Sequence, residues 1–118
     1  MAQVAKRKLS SSTDGRAIKV VATASAGTTI HTAQSGTTAG KYDEIYLTAC
    51  NTSTSTVLLT VQFGGTTAPD DSFQWTIPPN ATIPFVDGWI LQNAAIVRAF
   101  AASANVINLV GYVNQITP

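Results

Sequence analysis

The chain has little of what chemistry usually requires. Its 118 residues include one cysteine, one histidine and one methionine. A single Cys excludes an internal disulfide framework and a multi-thiolate zinc site. Charged residues make up 11%, under half the usual quarter. That share excludes a charge-rich disordered tail, a coiled coil and a strongly basic nucleic-acid module. Long clean apolar runs are also missing. The most apolar stretch, Ala94 to Val113, is interrupted by Arg98, Ser103, Asn105 and Asn108. An Arg at mid-membrane depth costs roughly 2.5–3.5 kcal/mol, so no membrane span is expected there. The first residues, MAQVAKRKLSSSTDGR, hold no apolar core of signal-peptide length, and synthesis in the cytoplasm is the expectation.

What is present points to strands. Thr and Ala occur 17 times each and Ser nine times, a composition that suits extended structure better than helix. The clearest strand is Thr56 to Phe63. There Val57, Leu59, Val61 and Phe63 alternate with Thr56, Leu58, Thr60 and Gln62, the period-two pattern of a half-buried strand. Further strands are expected at Ile18–Thr23, Thr28–Thr32, Asp43–Cys50, Ser72–Ile77, Ala81–Val86, Trp89–Gln92, Ile96–Ala101 and Val106–Val113. Pro84 marks its strand as an edge or a bulge. Asn51–Ser55 reads as a hairpin turn, Asp87-Gly88 as another turn, and Gly64–Asp71 as a loop. Val106–Val113 is apolar on both faces and is expected in the centre of a sheet or against another subunit. The one helix rival, Ala94–Ala104, has β-branched and aromatic members that favour strand. Many short strands with frequent turns give an all-β fold, a β-sandwich of jelly-roll type.

The net charge of +1 conceals an asymmetry. Residues 1–19 carry Lys6, Arg7, Lys8, Arg16 and Lys19 against Asp14 alone. The remainder carries Lys41 and Arg98 against Asp43, Glu44, Asp70, Asp71 and Asp87. The expected organisation is an extended basic N-terminal arm, residues 1–15, followed by a sandwich domain, residues 16–118. Such an arm suits an acidic surface.

A search for catalytic equipment returns little. His31 is the only imidazole, and an enzyme, the most distant rival, would need it within hydrogen-bond reach of Cys50 or of a carboxylate. The plainer reading makes His31 a strand residue and Cys50 a small buried hydrophobe. Asp43 and Glu44 are adjacent in a strand and point to opposite faces, so they do not share a site. Asp70 and Asp71 lie in a Pro-led loop that could offer a calcium ion carboxylates and carbonyls, but no EF-hand spacing is present and turn formation suffices to explain them. Gly64-Gly65-Thr66-Thr67 lacks the Lys and helix of a phosphate loop, and Asn51-Thr52-Ser53 and Asn80-Ala81-Thr82, though glycosylation patterns, read as turns. The aromatics are expected in the core. No enzyme activity, cofactor or metal is expected.

Several segments together resemble a known class. Tyr46-Leu47-Thr48-Ala49-Cys50-Asn51-Thr52-Ser53, Val57-Leu58-Leu59-Thr60-Val61 and Gly64-Gly65-Thr66-Thr67-Ala68-Pro69-Asp70-Asp71 are similar to small structural proteins of tailed bacteriophages. So are Gly15–Val20 and the end from Val97 to Asn114. The nearest likeness is to a head decoration, or cement, protein. That resemblance implies a jelly-roll or sandwich body, commonly a trimer, on the outer capsid where capsomers meet. It implies the major capsid protein and copies of itself as partners, with no direct nucleic acid, no membrane and no catalysis. The capsid-contact candidates are Lys6, Arg7, Lys8, Arg16 and Lys19. Tail or head-tail connector proteins share such Thr-rich sequences, and a carbohydrate-binding sandwich is a further rival, which an exposed Trp75 or Trp89 beside an acidic loop would favour.

Overall fold

The structure, a computed structural model, describes residues 2–118. Nine strands are assigned: β1 (Gln3–Lys8), β2 (Ile18–Lys19), β3 (Thr28–Thr32), β4 (Tyr42–Asn51), β5 (Val57–Phe63), β6 (Ser72–Ile77), β7 (Thr82–Leu91), β8 (Ile96–Ala101) and β9 (Ile107–Thr117). There is no helix among the described residues. Two antiparallel sheets pack as a sandwich. The larger runs β1-β9-β4-β7, with β2 end to end with β1 along the same side of β9; the smaller runs β3-β8-β5-β6. β5 and β6 form a hairpin. From β2 onward every other connection crosses from one sheet to the other.

Alternation explains the core. In β4, Ile45, Leu47 and Ala49 are buried while Glu44, Tyr46 and Thr48 lie on the outer face. Leu59 and Val61 from β5, Val97 and Ala99 from β8, and Ile107, Leu109 and Val113 from β9 complete the interior. Each fully buried branched side chain contributes about 1.5–3 kcal/mol, enough to hold a sandwich with no crosslink. β9 is central, as its two apolar faces predict, with β1 and β2 on one side and β4 on the other. The outer face of β5 is not simply polar. Thr60 and Gln62 are buried there, because Gln62 accepts a hydrogen bond from Gly27 N–H (2.9 Å) and donates to Ser25 Oγ (2.8 Å). The connection from β2 to β3 thus roofs part of the smaller sheet.

Four expectations are corrected. Residues 2–15 are not a free arm; Met1 lies outside the described residues. Gln3–Lys8 pair with Thr117–Tyr112 of β9 as the edge strand, and Leu9, 1% exposed, anchors the chain in the core. Neither face of β1 is covered, only Ala5 being half-buried, so its sequence carries no apolar–polar alternation to read. Second, Ile18–Thr23 forms only the two-residue β2; Val20 N–H still donates to Ile107 O (2.8 Å), and by Ala22, whose carbonyl accepts from Ala101 N–H (3.1 Å), the chain has turned over to the other sheet. Third, Asp87-Gly88 is not a turn. β7 runs through it, with Gly88 (φ 78°) as an extra residue between the Ile45–Trp89 and Tyr46–Asp87 pairs. A second extra residue, Phe85, follows Pro84, so β7 is a bulged edge strand, as Pro84 predicts. Fourth, Asn51–Ser55 is a sheet-to-sheet crossover. The Asn51 amide donates to Ser55 O and Ile77 O (2.8 and 3.0 Å), and its Oδ1 accepts from Ser53 N–H (2.9 Å). A fully buried side chain thereby shapes the turn.

Candidate functional site

The five basic candidates lie along one edge of the sandwich. Lys6, Arg7 and Lys8 are on β1, Arg16 is in the β1–β2 connection and Lys19 is on β2. All five are exposed. Among the described residues no Lys or Arg stands within ion-pair distance of an Asp or Glu. The edge therefore keeps its positive charge for solvent or a partner.

The edge is fastened to the body in three places. On the outer face, Lys6 Nζ sits 4.3 Å from the centre of the Tyr112 ring, and Tyr112 stacks on Tyr46 at 4.7 Å and 12°. A cation on an aromatic face is worth about 0.5–1 kcal/mol at exposed sites. The row continues to Gly88, where a Cβ would come within 3.2 Å of the Tyr46 hydroxyl oxygen. One line of side chains thus crosses β1, β9, β4 and β7. Packing holds the Tyr46 hydroxyl above its ordinary pKa of 10.0, and the charges of Glu44 and Asp87 push the same way. Lys8 is pinned by donating to Ser12 O (2.8 Å).

The third fastening is a buried polar network. His31 and Asp43 are 4% and 1% exposed, and Nε2 of His31 lies 2.7 Å from Oδ2 of Asp43. Ser10 N–H donates to His31 Nδ1 (3.0 Å), so in the neutral ring the proton is on Nε2, directed at the carboxylate. The Gln34 amide donates to Asp43 Oδ1, Tyr42 O and Ile116 O, each at 3.0 Å. Ser10 Oγ accepts from Thr32 N–H (2.8 Å). This network ties the end of β1 to β3, β4 and β9, and no buried side-chain polar atom among the described residues lacks a partner.

The sequence does not reveal that His31 meets a carboxylate, since the two are twelve positions apart. Reach to a carboxylate is what an acid–base site needs, yet both ring nitrogens are already engaged and the ring is sealed from solvent. Cys50 is at the far end of β4 from Asp43, about 24 Å away at the rise of an extended strand. His31 and Cys50 are thus kept apart. Asp43 and Glu44 point to opposite faces, as expected. Asp71 accepts from Thr67 N–H (3.0 Å) and packs against Gly65, closing its own loop. No group of three metal-ligating side chains occurs among the described residues.

The aromatics form a second feature, at the opposite edge. Trp89 meets Phe63 and Phe73 at 5.4 and 5.0 Å, and Trp75 meets Phe85 at 4.6 Å, all edge to face. Both indoles are half-buried, packed between the β6 and β7 edges rather than laid open as a sugar platform. Phe73 at their rim is 42% exposed. Asn51, in one glycosylation pattern, is buried; Asn80, in the other, is exposed in a turn with φ 54°. Comparison with protein-family models, with curated proteins and with solved structures finds no match to this chain.

Proposed function

We propose that this chain is a virion structural protein: a capsid decoration, or cement, protein of a tailed bacteriophage that binds the outer capsid surface, as a trimer, and braces contacts between capsomers. The observation that carries the reading is the unneutralised basic edge, Lys6, Arg7, Lys8, Arg16 and Lys19, held rigidly on a body with little other charge. Five exposed cations on an ordered scaffold suit a stationary acidic surface. The strand order supports the same reading. Taken as one interrupted strand, β1 and β2 head a sheet whose partners are β9, β4 and β7, over β3, β8, β5 and β6. That order suits an eight-strand jelly roll, a fold used in viral shells and also in lectins. The resemblance of the segments named above to phage structural proteins selects the first. The proposal is of a protein that acts by binding.

The test is attachment to capsids that lack the protein. Neutralising Lys6, Arg7, Lys8, Arg16 and Lys19 to Ala together is expected to weaken binding at least about tenfold, with wild-type binding falling as salt rises. Attachment that ignores both the substitutions and the salt would refute the basic edge as the contact. Copy number separates the rival: a decoration protein is present many times per head, a connector or tail-tip protein only in a small ring.

A further inference from the structure

The molecule is polarised across its width. β1 and β2 form one edge of the larger sheet, and β7 forms the other. The aromatic contacts place β6, the edge of the smaller sheet, beside β7. This second edge carries two of the three exposed acids; the third, Asp14, sits among the cations in the β1–β2 connection. Asp87 is on β7 and Asp70 on the β5–β6 loop, both exposed; Asp71 is half-buried in the same loop. None of them has an ion-pair partner among the described residues. Each edge also presents an apolar side chain to solvent: Val4 (63% exposed) on β1, and Ile90 (57%) with Phe73 on β7 and β6.

We propose that copies of this chain associate head to tail, the β1 half of the basic edge of one copy seating on the β6–β7 edge of the next. The inference rests on the self-association proposed above and names its surfaces. Like edges repel, which disfavours a two-fold contact of β1 on β1 or β7 on β7, whereas unlike edges attract. A contact between two different patches is heterologous, and closes into a ring when the rotation between copies allows. Arg7, Lys6 and Lys8 face Asp70, Asp87 and Asp71 in this arrangement, with Val4 near Ile90 and Phe73 as the apolar part. The contact is made by side chains and does not continue the sheet. Pro84 removes an N–H from β7, and its two extra residues break the regular spacing a further strand would need. In the ring the capsid contact falls to Arg16 and Lys19 at the β2 end of the same edge, so the five-residue substitution acts on both contacts, whereas Arg16→Ala with Lys19→Ala weakens capsid attachment alone.

The experiment is sedimentation of the purified full chain without capsids, so that its outcome is independent of capsid attachment. Wild type is expected to form a ring that dissociates as salt rises. Reversing one edge (Lys6→Glu with Arg7→Glu) or the other (Asp70→Lys with Asp87→Lys) should weaken association at least about tenfold; Asp71 is spared because it closes its loop. A chain carrying both reversals should associate again, and a mixture of the two single-edge variants should form mixed species. This recovery separates lost complementarity from misfolding. Arg16→Ala with Lys19→Ala should leave the assembly intact. A monomeric wild type at low ionic strength, or association unaltered by either reversal, or no recovery in the doubly reversed chain, would overturn the proposal.

Discussion

At the scale of single residues, the tightest constraint is a glycine. Gly111 lies opposite Leu47 in the β4–β9 pairing, and a Cβ there would fall 1.9 Å from the Tyr46 carbonyl oxygen. The obstacle is backbone at the centre of the larger sheet, so no side chain can swing away. Gly111→Ala is expected to cost about 3 kcal/mol or more and to lower the unfolding midpoint by roughly 10 °C or more, measured by thermal denaturation. A midpoint within experimental error of wild type would show that β9 can shift past β4 without loss. Nothing in the sequence announces this. Gly111 sits within the inward-facing series of Ile107, Leu109 and Val113, and only the three-dimensional approach of β4 tells it from a tolerated glycine. The pairing of His31 with Asp43 was equally hidden. The face of Asp43 was legible from alternation, but not what waited for it across the sandwich.

At the scale of elements, legibility followed burial asymmetry. β4, β5 and β6 were read to within a residue or so because apolar and polar residues alternate along them; β3 and β8 were read with the bounds they have from their β-branched and aromatic residues, β8 carrying Ile96 and Phe100 on its outer face. β7 was split in two, since Asp87-Gly88 looks like a turn when the partner strand that absorbs the extra residue is out of sight. β1 was missed because its six residues are nearly all exposed. It is an element nonetheless. Removing residues 2–9 would strip the β9 edge, the cation over Tyr112 and the buried Leu9, and would leave His31 Nδ1 without its Ser10 donor if the new terminus frays. The expected loss is at least about 2 kcal/mol of stability, the low end for deleting a buried leucine, read from denaturant unfolding. A truncated chain as stable as the whole would mean that β1 only rests on the sheet. Charge substitution, which spares Leu9, is therefore the better probe of the edge.

At the scale of the whole molecule, the charge asymmetry read from the sequence became a geometry. A basic N-terminal segment and a mildly acidic remainder are, once folded, two opposite edges of a sandwich 48 Å in its longest dimension. The sequence could report the excess of cations but not that β1 and β2 would lie end to end, nor that Asp70, Asp71 and Asp87 would gather on the far side while Asp14 stays beside the cations. Under the proposed function, a ring of such bodies on a capsid would gain from multivalency, because each further contact is made by a chain already held in place. Capsids lacking the protein are expected to release packaged DNA at a lower temperature, and at a smaller osmotic shock, than complete ones. Equal tolerance would remove the bracing role and leave attachment alone.

The sealed imidazole has one more consequence. As the only histidine in the chain, His31 supplies the only imidazole N–H signal in a nuclear magnetic resonance spectrum. Its Nδ1 is held by the backbone of Ser10, directly after the basic strand, and its Nε2–H is shielded from exchange by Asp43. The position and exchange rate of that one resonance thus report whether β1 is docked. The protein carries its own gauge of the edge on which its proposed contacts depend, and the gauge can be read without attaching a label.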